Sequence, residues 1–441
     1  MHSESKRMSA FYMLICALVF AVSLTPSALA AETPSSTLYV RCGRLMISAD
    51  EALKGPTTMV VKNGKIAAVG VALPMPVGSQ ELDLSRYTVV PGFIDAHIHL
   101  WIGEQVDGKA ISYGLEALRA SKAMEYALKR GVVGVRVLHT DGFIDVALHD
   151  AIEESTIDGP RMLPGGYALT IPAGHGDWFD LPSTMPLDDY YTPLHGFVNS
   201  PADAEKAVHL QIKYGARIIK MLATGGAGSP LDSFDDEHLS PEEMRVIVEQ
   251  AHMHHLTVAA HILNVKTALD ALHAGIDSIE HASDLNKEVI DYMKAHHVWW
   301  DPTVYIVDTY VTGVEKGPTS ELNKGRLVAA KHFASFKLGL QSGLAPQLLA
   351  GSDMKYEPGG GTVLDEMITL VKYGATPKQA LIAATKNGAA AAGWDDMGTL
   401  AVGKQADFVA LDGDPTEDIY VVKKIKSVVF QGKVIVPPGS I

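Results

Sequence analysis

Eight short apolar runs, beginning near Val89, Val132, Met162, Arg217, Thr257, Asp277, Val298 and Leu348, alternate with segments of helical periodicity. A strand that returns parallel to its predecessor needs a crossover of a dozen or more residues, usually a helix, and the spacing of these runs leaves room for one. Eight such units in succession predict a (β/α)8 TIM barrel, here spanning 91–395. The intervening segments carry the matching helix signals. Val265, Ala268, Leu269 and Leu272 recur at helical spacing before Gly275, and Pro241-Glu242-Glu243 sets proline and acids in a first turn. In such a barrel chemistry sits at the C-terminal ends of the strands, so residues there are read for function first.

The flanks are of another kind. Thr37–Val40, Thr58–Val69 with an Asn63-Gly64 turn, and Glu81–Leu84 read as short strands, and Ala406–Leu411 and Ser427–Ile435 repeat that style near the other end. Neither set has a core of its own, so 31–90 and 396–441 are expected to build one small β-sandwich domain together. Residues 1–30 read as a secretory signal peptide: Lys6 and Arg7 precede the apolar stretch Phe11–Leu24, and Thr25–Ala30 offers small residues for cleavage. That stretch is short for a membrane span, so the mature protein is expected to be exported, to a bacterial periplasm or beyond, without a stable membrane anchor. Of the two cysteines only Cys42 would survive cleavage, which excludes an internal disulfide. A formal charge of -14 without a cluster of lysine and arginine argues against nucleic-acid binding.

The strand ends, taken in order, present His97 and His99, Lys220 in Arg217-Ile-Ile-Lys220, His261 in Val258-Ala-Ala-His261, His281 in Ile279-Glu-His281, and Asp353 in Ala350-Gly-Ser-Asp353. The strand period of two turns both imidazoles of the His97–His99 pair to one face, as a divalent metal requires. Any one of these residues has a bland reading: a core histidine, a helix cap, a snorkelling lysine. Six of them at five strand ends do not. A protonated Lys220 cannot ligate a metal, but burial lowers its pKa, and the neutral amine can add carbon dioxide to give a carbamate whose two oxygens bridge two cations. His97, His99 and Asp353 would then hold one ion with the carboxylated Lys220, and His261 and His281 the other.

The motifs Pro91-Gly-Phe-Ile-Asp-Ala-His-Ile-His99, Lys220-Met-Leu-Ala-Thr-Gly-Gly226, Ile279-Glu-His-Ala-Ser283, Ala350-Gly-Ser-Asp353 and Gly403-Lys-Gln-Ala-Asp407 resemble the amidohydrolase superfamily, in the branch of imidazolonepropionase-like proteins, bacterial prolidases and ochratoxin-hydrolysing amidases. The resemblance covers nearly the whole mature chain. One-metal relatives usually lack the lysine, so Lys220 points to the two-metal, prolidase-like group, with zinc the first expectation and a homo-oligomer implied. The implied reaction is hydrolysis of a small amide or peptide by a hydroxide shared between the metals, with Asp353 as general base and then general acid.

Substrate contacts are read from neighbouring positions. His175, in Ala173-Gly-His175-Gly-Asp177, matches a Gly-His-Gly segment that relatives carry near the substrate, and is expected to polarise the carbonyl or hold a carboxylate. Arg136 and Arg161 could clamp a carboxylate or pair with a barrel acid, and Trp178, Phe179, Trp300 and Tyr305 could line an apolar pocket. Two departures from the pattern matter. The second strand runs Val135-Arg-Val-Leu-His-Thr-Asp141 where relatives read Val-Arg-Asp, which makes His139 a neighbour of the site, and Leu263 stands where relatives place His or Tyr. A more apolar substrate than Xaa-Pro follows: a dipeptide or N-acyl amino acid, with ochratoxin-type amides included. Cyclic-amide, lactone or phosphotriester hydrolysis on the same metals is the alternative within enzymes, and an exported binding protein without chemistry the alternative outside them.

Overall fold

In the computed structural model the described residues are 37–100, 105–106, 109–110, 112–177, 190–229, 231–314, 319–356 and 360–440. The expected signal segment and the expected contacts Trp178 and Phe179 lie outside them. Strands β1 (Thr37–Leu45), β2 (Thr57–Lys62), β3 (Lys65–Gly70) and β4 (Gln80–Pro91) precede the barrel. β5 (Phe93–Ile98) begins it, and β6 (Gln105–Val106) and β7 (Lys109–Ala110) form a two-residue ladder. β8 (Val132–Val137), β9 (Arg161–Pro164), β10 (Ile219–Leu222), β11 (Val258–Ile262), β12 (Ser278–His281) and β13 (Trp299–Asp301) continue the barrel, and β14 (Phe408–Leu411), β15 (Ile425–Phe430) and β16 (Lys433–Val436) follow it.

Both chain ends do share one sheet. Its order is β16-β15-β14-β4-β1-β2-β3, and the join between the ends is the antiparallel pairing of β14 with β4. A core of Val40, Leu45, Met59, Ile66, Leu84, Phe408 and Val429 lies on it. The apolar run from Val89 is therefore divided: Val89–Pro91 pairs with β14, and the barrel strand starts only at Phe93, one residue beyond Gly92. Gly92 marks the switch because a Cβ there would drive into the Val133 side chain.

The barrel consists of two parallel ladders, β5-β8-β9 and β10-β11-β12-β13, and backbone hydrogen bonds close the two gaps. Between β9 and β10, Arg217 N donates to Pro164 O at 2.7 Å and Leu169 N to Lys220 O at 2.8 Å. Between β13 and β5, the segment 348–354 acts as the eighth strand: Leu349 N donates to Trp300 O at 2.7 Å, Ala96 N to Ala350 O at 3.0 Å and Asp353 N to His97 O at 2.8 Å. The helix signals hold as read. Ser240 and Glu243 form a capping box on Pro241–Met253, and Asn264 caps Val265–Ala274, which ends at Gly275 with φ 96°. Trp300 faces the outer layer, where it packs on Phe336 and on Gly339 of the helix Thr319–Gln341, so it belongs to the core and not to a pocket. Among the described residues no helix is long and apolar enough to cross a membrane.

The eighth segment is tied tightly to its neighbours at Gly351, whose N–H donates to Asp301 Oδ1 at 3.0 Å. A Cβ at that position would collide with the Asp301 carboxylate and with His97 Cβ. Gly351→Ala is expected to cost about 1–3 kcal/mol of stability by overpacking, seen as a lower urea midpoint. A wild-type midpoint would show that the barrel closure relaxes freely at this point.

Candidate metal centre and active site

Neighbours in a parallel ladder share a face, so the registers Leu222↔His261, His261↔Glu280 and Glu280↔Asp301 place these four side chains in one layer inside the barrel. Lys220, Ala259 and Ser278 form the layer beneath. Asp95 and His97 point inward from β5, and His99 follows at the same period. His281 comes directly after inward-facing Glu280 and would face the helices by alternation alone. Its φ of 69°, followed by 51° at Ala282, turns the chain so that its imidazole also reaches the mouth. Thr303 at 46° and Asp353 at 55° are left-handed too, so four non-glycine residues at the strand ends hold a conformation costing of order 1–3 kcal/mol each.

The six candidate ligands meet around one cavity of about 430 Å³, lined by His97, His99, Lys220, His261, His281 and Asp353. His97 Nε2 and His99 Nε2 lie 3.4 and 2.9 Å from Asp353 Oδ1, and His281 Nδ1 lies 3.9 Å from Asp353 Oδ2. The His261 and His281 ring centroids are 4.5 Å apart. Burial drives the ring pKa of His97 down to about 4, and those of His261 and His281 well below the usual histidine range, so these are neutral donors. Burial also lowers Lys220 to about 8 against the pull of Glu280 and Asp353. For Asp353 burial acts upward, yet His97 and His99 prevail and hold its carboxyl well below the usual range.

The proton positions test whether this set suits a cation. His97 Nδ1 lies 3.0 Å from Glu280 Oε2, and an ionised carboxylate only accepts, so the proton is on Nδ1 and the lone pair on Nε2. His97 Nε2 is buried and has no hydrogen-bond partner. His99 meets acceptors at both ring nitrogens, Asp353 Oδ1 2.9 Å from Nε2 and the His139 carbonyl 3.4 Å from Nδ1. The orphaned lone pair of His97 Nε2 thus faces an ionised carboxylate, 3.4 Å away. A cation between them turns that repulsion into coordination, and His97, His281 and Asp353 offer donor atoms within 4.8 Å of one another. The residues fit a divalent metal.

Of the expected substrate contacts, His139, His175 and Leu263 line the cavity. Arg136 does not clamp a ligand: it lies inside the barrel, its Nε donating to Ala96 O at 2.7 Å and its guanidinium to Glu280 Oε1 at 2.8 Å and Ser278 Oγ at 3.3 Å. The buried Glu280 charge claims it. Arg161 pairs with Asp396 at 2.8 Å and lies over the Trp394 ring, and the Tyr305 amide donates to Glu366 Oε2 at 2.6 Å. Sequence reasoning passes over Glu280, although the strand period sets it inward beside a ligand, and over Asp301, whose carboxyl is raised well above the usual range by burial and by Glu280. It also misses the apolar wall of Ile306, Val307, Tyr310 and Val328, which comes from helices with no distinguishing pattern.

A closed eight-stranded barrel with neutral imidazoles, an ionised carboxylate and a buried lysine at its C-terminal mouth is the frame of a hydrolase whose site residues fit a divalent metal. The sequence pattern of the Amidohydrolase family matches residues 88–435, and the chain belongs to that family and is a hydrolase acting on amide bonds. It is similar to the ochratoxinase of Aspergillus niger, 30% identical over 94% of this chain and 90% of that protein, and to the imidazolonepropionase of Deinococcus radiodurans, 27% identical over 89% and 93%. In structure it resembles a Xaa-Pro dipeptidase with bound methionine, with a TM-score of 0.83 and 26% identity over 90% of this chain and 99% of that one. The A. niger ochratoxinase structure gives a TM-score of 0.79 at 27% identity, covering 92% and 96%.

Glu280 orients His97 in the manner of the carboxylates that back metal-bound histidines, whose removal lowers metal affinity by about 10–100-fold. Glu280→Gln is expected to show a loss of that size in competition with a chromophoric chelator. Unchanged affinity would mean that His97 is held by packing alone.

Proposed function

We propose that this protein is an exported two-metal amidohydrolase that cleaves the amide of a dipeptide or N-acyl amino acid with a bulky apolar or aromatic part. The observation that carries the reading is the meeting of His97, His99, Lys220, His261, His281 and Asp353 around one cavity whose remaining wall is largely apolar: Leu222, Leu263, Ile306, Val307 and Val328. Zinc suits a set dominated by imidazole and carboxylate. His97, His99 and Asp353 would hold one ion, His261 and His281 the other, and carboxylated Lys220 both. Bound there, divalent cations supply an ionised water at neutral pH and polarise the amide carbonyl.

The chain's own groups do the rest. Lys220, lowered to about 8, has an appreciable neutral fraction near neutral pH. Its amine forms a bond to the carbon of carbon dioxide and releases one proton, giving the carbamate anion. Asp353, ionised and adjacent to His97 and His99, accepts the proton of the attacking water and delivers it to the departing nitrogen. The likeness to an ochratoxinase and a Xaa-Pro dipeptidase supports amide cleavage next to a free carboxylate. Leu263 and the apolar wall favour aromatic acyl groups, so ochratoxin-type amides are proposed as accepted substrates. Export rests on the pattern of residues 1–30.

N-acyl-phenylalanine is expected to turn over faster than a hydantoin, a lactone or a phosphotriester; the reverse order would assign the site to the competing reactions. Asp353→Asn is expected to lower kcat by roughly 10²–10⁴-fold with an unchanged circular dichroism spectrum, and wild-type turnover would remove Asp353 from proton transfer. Lys220→Ala is expected to lose turnover and to recover part of it with metal and a short carboxylic acid, which supplies the missing oxygens. Failure of every small carboxylate to rescue would count against the carbamate.

A further inference from the structure

One hydrogen-bonded chain joins two loops and a helix at the barrel mouth and ends on His175. Lys324, on the helix Thr319–Gln341, donates to Ser229 O and Asp232 O, each at 2.6 Å, and to Asp232 Oδ1 at 2.9 Å, which uses all three of its protons. Gly226 N donates to Asp232 Oδ2 at 2.9 Å, and His238 Nε2 lies 3.9 Å from the same oxygen. Burial acts to raise the Asp232 carboxyl, but the bonds from Ser229 and Lys324 prevail and keep it ionised. An ionised carboxylate has no proton to give, so the close contact between Ser229 Oγ and Asp232 Oδ1 has Ser229 as donor. The Ser229 oxygen is then the acceptor in its 3.0 Å contact with His175 Nδ1.

A neutral imidazole carries one N–H. That proton is fixed on Nδ1, and Nε2, at the far edge of the ring, keeps its lone pair. His175 lines the cavity and lies ring to ring with His261 at 4.3 Å. In this tautomer it cannot donate from Nε2 to a substrate carbonyl or carboxylate, the role its sequence context implies. It is an acceptor.

We propose that Asp232, acting through Ser229, is a positioning residue that presents His175 Nε2 to the N–H of the scissile bond, so that the enzyme selects secondary amides over tertiary ones such as the amides of proline. The proposal deepens the amide-hydrolase reading and rests on it for the substrate. Pockets built around a hydrogen bond reject analogues that lack the partner far more strongly than apolar pockets reject a missing methylene.

Two measurements on the metal-loaded protein test it. Long-range ¹⁵N NMR of the histidines, with His175 assigned by His175→Asn, is expected to show Nδ1–H in the wild type and in Ser229→Thr, which keeps the hydroxyl, and loss of that tautomer in Ser229→Ala. Nε2–H in the wild type would overturn the proposal. The ratio of kcat/KM for N-acetyl-phenylalanine over N-acetyl-N-methyl-phenylalanine, which carries the methyl on the scissile nitrogen, is expected to fall by roughly tenfold or more in Ser229→Ala and in Asp232→Asn, and to persist in Ser229→Thr. The steric cost of the added methyl is common to all four proteins and cancels in that comparison. A ratio that does not change in Ser229→Ala would overturn the selectivity. If the wild type hydrolyses neither amide, the functional reading and the selectivity built on it both fail, while the NMR result still decides whether Asp232 and Ser229 set the tautomer.

Discussion

The buried carboxylate of Glu280 is the interaction around which the barrel interior is organised. It accepts from His97 Nδ1, from the Arg136 guanidinium and from Ser278 Oγ, so one charge draws together residues of β5, β8 and β12. Leaving such a charge unpaired away from water would cost several kcal/mol, which is why Arg136 is committed to it. The consequence for function is a proton on His97 Nδ1 and a lone pair on Nε2, aimed at Asp353. Asp301 lies in the same layer, and burial together with the Glu280 charge raises its carboxyl well above the usual range.

The same logic of forced proton positions extends across the mouth. His261 Nε2 lies 3.1 Å from Gly225 O, which fixes its proton on Nε2 and its lone pair on Nδ1. Burial keeps the rings of His97, His261 and His281 neutral, and left-handed backbone at His281, Thr303 and Asp353 pays for their aim with local strain. The strand ends thus hold an orphaned nitrogen lone pair against an ionised carboxylate, an arrangement that a cation would relieve. Such a centre is stabilised by what it binds.

The strand-end residues that meet at the mouth were legible in the sequence because each closes an apolar run, although the period alone does not set the face of His281, which a left-handed turn brings round. The division of the first run at Gly92 was not, since Val89–Pro91 and Phe93–Ile98 are equally apolar and only pairing with β14 separates them. Arg136 shows a second limit: alternation places it inward, but whether it meets a ligand or a barrel acid depends on Glu280, more than a hundred residues later. Ser229 and Asp232 lie on a loop and Lys324 on a helix without periodicity, and their relation to His175 exists only once these meet the loop that carries it.

The most direct test is a metal titration of the chelated protein, following turnover of N-acetyl-phenylalanine against equivalents of zinc, with bound metal measured by elemental analysis. Turnover absent in the apo-protein and reaching its plateau at two equivalents per chain is expected. Full turnover after exhaustive chelation would contradict the central claim that this barrel mouth works by holding a pair of cations.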